Sequence, residues 1–294
     1  MTEKLKQPWH DKHYKNLLII PAVLILFSIV YLFFFSSANG TLFYKDISLT
    51  GGTSITIYDS ISTEDALISL QDKLEDLNIR KIYDLTTREE IAIIIETTSE
   101  GDFAKQSVED YLGYSLIEGE NSDFQFTGSN LSESFYNQLL IAILIAFIFM
   151  ALVIFILFKT FIPSIAVIIS AFADILMTLV FVDILGIKMS TAGIIAFLML
   201  IGYSVDSDIM LTNRVLKRTE GTINQRLRGA LKTGLTMTLT SFFAFIVALL
   251  IVSSFSITLT QIFTILVIGL GFDLLNTWIT NVSILKWYAL KKGK

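Results

Sequence analysis

Long apolar runs separated by short polar breaks dominate the chain. Six stretches reach the roughly 20 residues needed to cross a bilayer core of about 30 Å: Leu17 to Phe35, Leu139 to Phe158, Ile162 to Val182, Met189 to Met210, Leu231 to Val252 and Ile262 to Ile284. The breaks from Lys159 to Phe161 and from Asp183 to Lys188 are too short to hold a domain, so these helices follow one another as antiparallel neighbours. The pattern divides the chain into a tail (1–16), a first span (17–35), a polar domain (36–138), five further spans (139–284) with a basic loop at about 214–230, and a second tail (285–294). The first span is too long, and lacks the small-residue site, for a cleaved signal peptide.

Within residues 36–138 the periodicity changes. Gly52 to Tyr58, Ile79 to Leu85 and Ile91 to Ile95 read as strands, and a last strand falls between Tyr114 and Phe126. Ser62 can cap a helix whose Ala66, Leu67, Leu70, Leu74 and Leu77 recur at helical spacing, and Asp102 to Leu112 reads as a second helix. The order βαββαβ is that of a ferredoxin-like unit. The expected architecture is an α-helical membrane bundle of six transmembrane helices plus an α+β domain outside the cytoplasm. Such a scaffold says nothing of function by itself.

Composition supports the class and charge orients it. The chain of 294 residues is 53% hydrophobic, far beyond a soluble domain. Residues 36–138 hold six basic and nineteen acidic side chains, whereas Lys4, Lys6, Lys12 and Lys15, the loop from Arg214 through Lys217, Arg218, Arg226 and Arg228 to Lys232, and Lys291, Lys292 and Lys294 all fall on the other side of a six-span chain. That side is the cytoplasm, with both termini in it. The basic loop fixes topology and meets anionic lipid; no nucleic acid is expected. With no cysteine, and with His10 and His13 in the basic tail, no metal site, cofactor or thiol catalysis is implied, and an enzyme is the least favoured class.

Four aspartates lie within spans, where each ionisable group costs about 2.5–3.5 kcal/mol on insertion scales. These are Asp174, Asp206, Asp208 and Asp273. Each either carries protons or ions or bonds Ser, Thr or Asn on neighbouring helices, with Thr178, Ser204, Asn276 and Thr277 as available partners. Function is favoured for Asp206, which shares a helical face with Gly202, and the two readings stand level for Asp174 and Asp273. Asp208 reads as a solvated residue near the end of its span. Gly51-Gly52 permits either a hinge or a tight turn where the chain leaves the membrane.

These residues meet in one resemblance. Asp46-Ile-Ser-Leu-Thr-Gly51-Gly52-Thr53 resembles a signature of the SecD and SecF protein-export subunits. The run through Gly202, Tyr203, Ser204, Val205, Asp206, Ser207 and Asp208 to Asn213-Arg214 resembles their fourth-span motif, and Ala173-Asp174 matches an acidic position in the third. The Gly-Tyr-Ser form, the single outer domain and the six spans place the match with SecF, and Asp206-Ser-Asp208 together with the Asp273-Leu-Leu-Asn-Thr-Trp278 segment resembles its archaeal type. The resemblance implies half of an RND-type transporter that pairs with SecD and the Sec translocon and uses an ion gradient to assist export of unfolded polypeptide. Asp206, Asp174 and Asp273 are then relay candidates. The acid at Asp206 sits one position earlier than in many bacterial relatives, and the basic residue they place at the start of span five aligns near Gly229, leaving Arg228 or Lys232 as substitutes. Two other readings stand beside it: a scaffold that stabilises SecD and the translocon without transport, and an RND-type exporter that dimerises.

Overall fold

A computed structural model describes residues 15–84, 87, 89–217 and 221–291. Lys4, Lys6, Lys12, both histidines, Leu85, Arg218, Lys292 and Lys294 lie outside these residues. Six helical segments among the described residues are long and apolar enough to cross a membrane. In chain order the elements begin with α1 (Ile19–Asn39) and a single-turn α2 (Ile47–Thr50). The α+β domain follows as β1 (Gly52–Ile57), α3 (Thr63–Leu70), β2 (Asn78–Tyr83), β3 (Glu90–Thr97), α4 (Gly101–Leu112) and β4 (Ser122–Thr127), and the side of the bundle on which it sits is called outer. The bundle is completed by α5 (Ser129–Phe158), α6 (Phe161–Ile184), α7 (Thr191–Leu216), α8 (Ile223–Val252) and α9 (Ile257–Leu275). A π-helical segment (Asn276–Asn281) then joins α9 to α10 (Val282–Lys291), and the three form one span.

The four strands form an antiparallel sheet in the order β2-β3-β1-β4. Ile55 stands opposite Ile95 on one side and Phe124 on the other, while Ile79 faces Ile95 across the next ladder. Strand alternation sends this row to one face, where Leu70, Leu74, Ala104 and Val108 from the helical side close a core over Ile55, Ile57, Ile93 and Ile95. The alternate row, with Ser54, Thr56, Ile94, Glu96 and Gln125, faces the outer ends of α7 and α9 across a cleft of about 320 Å³.

The first helix of this domain is shorter than its leucine spacing predicts. Ser62 caps it as expected, accepting from the Asp65 amide at 3.3 Å, but α3 stops at Leu70. Leu74 reaches the core from a turn that includes Asp76 at φ 50°, so apolar spacing persisted where helix did not. The Gly51-Gly52 pair forms a packed turn: Gly51 (φ 83°) ends α2, and a Cβ on Gly52 would stand 2.3 Å from the Thr97 carbonyl oxygen. Only glycine lets β1 lie that close to the end of β3.

In the bundle, α6 and α7 are mostly buried, whereas α1, α5 and α8 bury few of their residues. One apolar cluster joins Phe43, Leu49 and Tyr136 to Val182, Met189, Phe197, Leu200 and Ile265 at the outer side. A second, at the other end, gathers Leu211, Val215, Leu227, Val282 and Leu285. Along α7 and the last span, Asp208 and Asp273 lie between these two.

Candidate functional site

Three aspartates converge in the middle of the bundle. Asp174 of α6, Asp208 of α7 and Asp273 of α9 are each fully or almost fully buried. Asp174 accepts from the Ser204 hydroxyl at 2.5 Å through one oxygen and from the Asn276 amide at 2.7 Å through the other. Asp208 Oδ1 accepts from the Thr277 hydroxyl at 2.8 Å and the Asn281 amide at 2.7 Å. Asp273 accepts from the Ser207 hydroxyl at 3.0 Å. Buried carboxylates in a span are tolerated when neighbours supply donors, and here every donor is a neutral hydroxyl or amide.

The donors are too few. Thr277 Oγ1 lies 2.8 Å from Asp208 and 3.1 Å from Asp273, and 3.2 Å from Ser207 Oγ. A hydroxyl has one proton, so it satisfies one of those two carboxyls at a time. Asp208 Oδ2 and Asn281 Oδ1 are buried with no hydrogen-bond partner, although the Ser170 side chain approaches Asp208. The cluster therefore holds a surplus of acceptors around Asp208 and Asp273, with room in its bonding for one further proton. Among the described residues no three His, Cys, Asp or Glu side chains converge as a metal site.

Helix rotation sorts the two aspartates of α7. Two residues on a helix turn the side chain by about 200°, so Asp206 and Asp208 point nearly opposite ways. Asp208 enters the cluster, while Asp206 is exposed on the face that also carries Gly202. The expectation of a solvated Asp208 is thus corrected. It rested on a span ending at Met210, whereas α7 continues to Leu216 and keeps Asp208 inside. Asp174, Asp208 and Asp273 come together, and Asp206 does not join them.

The π-helical segment completes the site. Its wider turns place Asn276, Thr277 and Asn281 toward the cluster at once, with Asn276 serving Asp174 and the other two serving Asp208. Sequence reasoning reached Ser204, Asn276 and Thr277 as partners, but the fourth, Thr178, is corrected: it is buried with its hydroxyl bonded to none of the aspartates, and Ser207 and Asn281 were missed. Asp183, read as a linker residue, is also buried, accepting from Tyr31 Oη at 2.7 Å and the Tyr44 amide at 3.0 Å. It ties α1 and the chain leaving it to α6.

The family model for the protein export membrane protein SecD/SecF, C-terminal, matches residues 108–291. The protein-export membrane protein SecF of Methanolacinia petrolearia is 35% identical over 283 residues, covering 95% of both chains. SecF of Methanocaldococcus jannaschii is 37% identical over 281 residues, covering 94% of this chain and 96% of its own. This chain belongs to the SecF branch of the SecD/SecF family. Its archaeal relatives bear out the archaeal-type resemblance. The crystal structure of SecDF, a translocon-associated membrane protein from Thermus, superimposes with a TM-score of 0.75 at 16% identity, covering 98% of this chain and 40% of that one. The fold is thus shared with a part of a longer chain.

The SecF motif residues take distinct positions. Asp46 caps α2 by accepting from the Ser48 amide at 3.2 Å, and Gly51 and Gly52 form the turn behind it. Ser204 serves Asp174, while Tyr203 is partly exposed with its ring against Phe245. Arg214 donates to the Gly229 carbonyl at 2.7 Å. Arg228 and Lys232 are both exposed, so the cation that reaches the start of α8 at Gly229 comes from α7.

Proposed function

We propose that this chain acts as the SecF subunit of a SecD–SecF pair that assists Sec-dependent export of unfolded polypeptide, and that an ion gradient drives it through the buried carboxylate cluster. The observation that carries this reading is the single Thr277 hydroxyl between Asp208 and Asp273. Two carboxyls sharing one donor inside a membrane form a site that gains or loses a proton with little rearrangement of its neighbours. Asp174 completes the relay from α6. Asp206, with Gly202 on the exposed face of α7, is offered to the SecD side of the pathway.

In this reading the outer domain is a ferredoxin-like unit, supported by its βαββαβ order and its β2-β3-β1-β4 sheet. It lies outside the cytoplasm, where it meets the emerging chain and the translocon. Both termini and the basic loop lie in the cytoplasm beside anionic lipid, as the distribution of Lys and Arg supports. The apolar surfaces of α1, α5 and α8 then face lipid or the partner subunits.

One observation favours a second reading. Asp174 has both oxygens bonded, as helix-joining glue requires, and a scaffold that stabilises SecD needs no more. Export assayed in proteoliposomes with SecD and the translocon separates the two. Asp208→Asn and Asp273→Asn abolish gradient-dependent export at unchanged complex yield if the cluster relays protons. Loss of export only in proportion to loss of complex leaves the scaffold.

A further inference from the structure

The outer domain is seated on the bundle through residues 185–190, the strap between α6 and α7. Lys188 Nζ meets Asp76 of the outer domain at 2.6 Å. The buried Met189 accepts from the Asp46 amide at 2.9 Å and donates its own amide to the Tyr44 carbonyl at 2.7 Å. The Thr191 amide donates to Ser48 Oγ at 3.2 Å. A separate attachment joins the edge of the sheet to the turn after α8, where the Tyr83 amide donates to the Ser254 carbonyl at 2.9 Å.

One side chain ties this strap to α9. Gln261, in the second turn of α9, donates from Nε2 to the Lys188 carbonyl at 2.5 Å. Its Oε1 accepts from the Ser190 amide at 3.2 Å and also from the Ser190 hydroxyl, and Ser190 is the residue that caps α7. Gln261 therefore holds the strap and the first turn of α7 together. The helices it joins are interlocked further down: a Cβ on Gly193 would lie 2.9 Å from Gln261 Oε1, and one on Gly269 would lie 2.5 Å from Leu200. At 1.5 Å per residue, Asp273 stands about 18 Å along α9 from Gln261, and Asp208 about 27 Å along α7 from Ser190. The outer ends of two close-packed helices thus meet the seat of the outer domain, and deeper in the membrane the same helices carry two of the three clustered carboxylates.

We infer that Gln261 is a positioning residue that couples the seat of the outer domain to the state of the carboxylate cluster. This rests on the proposed relay. A change at Asp208 or Asp273 that shifts α7 against α9 reaches the strap because Gln261 bonds both, and the strap carries it to Asp76, Asp46 and Ser48. Coupling of this kind requires a physical element that both sites bias. The α7–α9 pair with its Gln261 clasp is that element.

The chain has no cysteine, so an introduced pair of thiols reports one distance. Tyr83→Cys and Ser254→Cys place them where two backbones already pair, leaving the strap untouched, and their rate of disulfide formation reads the seating of the domain. In proteoliposomes with SecD, adding Asp208→Asn to that pair changes the rate about fivefold or more, the lower range of ordinary coupling between sites. Adding Gln261→Ala keeps the basal rate and reduces the response to Asp208→Asn to about twofold or less. Gln261→Glu, which keeps the acceptor for Ser190 and loses the donor to Lys188, gives an intermediate response. A response that survives Gln261→Ala, or no response in the parent, overturns the coupling. So does collapse of the basal rate in both Gln261 variants, which makes the residue a plain fastener. Export by Asp208→Asn is measured alongside: retained gradient dependence defeats the relay itself, whereas its loss with a Gln261-independent response defeats only the coupling.

Discussion

Two polar regions of the molecule accommodate their carboxylates differently. Under the outer sheet, carboxylates meet cations: Arg80 lies 3.2 Å from Glu96, and Lys188 lies 2.6 Å from Asp76. In the bundle, Asp174, Asp208 and Asp273 meet hydroxyls and amides from Ser204, Ser207, Asn276, Thr277 and Asn281. Near water a cation is an inexpensive partner, because it stays partly hydrated. Inside a membrane it would bring a second ion with its own desolvation cost. Neutral donors avoid that cost and leave the carboxyls dependent on the number of protons available.

The sharpest way to break this comparison is to remove a carboxylate from each region. Asp174→Ala orphans the Ser204 hydroxyl and the Asn276 amide in a dry site, at about 1–3 kcal/mol for each donor. Its thermal midpoint in detergent falls well below that of Glu96→Ala, whose former partners can turn to water. Equal losses would mean that the two regions are not distinct in dielectric.

A smaller effect tests the donor shortage. Thr277→Val keeps the shape and removes the shared proton, leaving Asp273 with Ser207 and Asp208 with Asn281. The loss is about 0.5–1.5 kcal/mol, that of one net hydrogen bond, read from thermal unfolding of the purified chain. A loss matching Asp174→Ala would show that Thr277 holds the whole cluster rather than bridging two of its members.

The cation-paired region offers a test by pH. Burial raises the Glu96 carboxyl above its ordinary value, against the opposing pull of Arg80, with Asp46 raising it further and Asn78 and Lys188 lowering it. A carboxyl raised on folding binds more protons in the folded than in the unfolded state across the window between its two values. Stability from this group therefore falls as pH rises through that window, starting above the ordinary glutamate range, and is flat on either side. Glu96→Gln removes that slope. Melting curves of the two chains across mildly acidic to neutral pH diverge if Glu96 behaves so, and parallel curves would reject the assignment.

How much of this was legible follows from what the sequence signals. The six spans show because an apolar run of such length has few other uses, and the strands of the outer domain show because Ile55, Ile93 and Ile95 alternate into one face. The family signatures were legible as residue strings. The cluster was only half legible: an aspartate in a span looks alike whichever way it points, so Asp206 and Asp208 were separated only by helix rotation and by the extension of α7 to Leu216. Asn281 was hidden because the π-helical segment breaks the spacing by which a reader aligns side chains on one face. Gln261 carries no hydrophobic or charge signal, and its partners, two main-chain groups and the Ser190 hydroxyl, belong to a distant strap.

The smallest effect draws the boundary between the two regions. Lys188→Ala removes the ion pair with Asp76, which is close but half exposed. Exposed pairs contribute about 0–1 kcal/mol, so the thermal midpoint shifts little, and the shift disappears at 1 M salt, where charges are screened within about 3 Å. The strap itself stays seated, because Met189 holds it through main-chain bonds to Asp46 and Tyr44 that the substitution leaves intact. Asp174→Ala, in contrast, keeps its full deficit at 1 M salt, since no mobile ion enters a buried cluster of hydroxyls and amides. Measuring both variants at low and high salt therefore assigns each carboxylate to its region without reference to export. A deficit in Asp174→Ala that salt erased would place the cluster in contact with water, and the distinction between the two regions would fail.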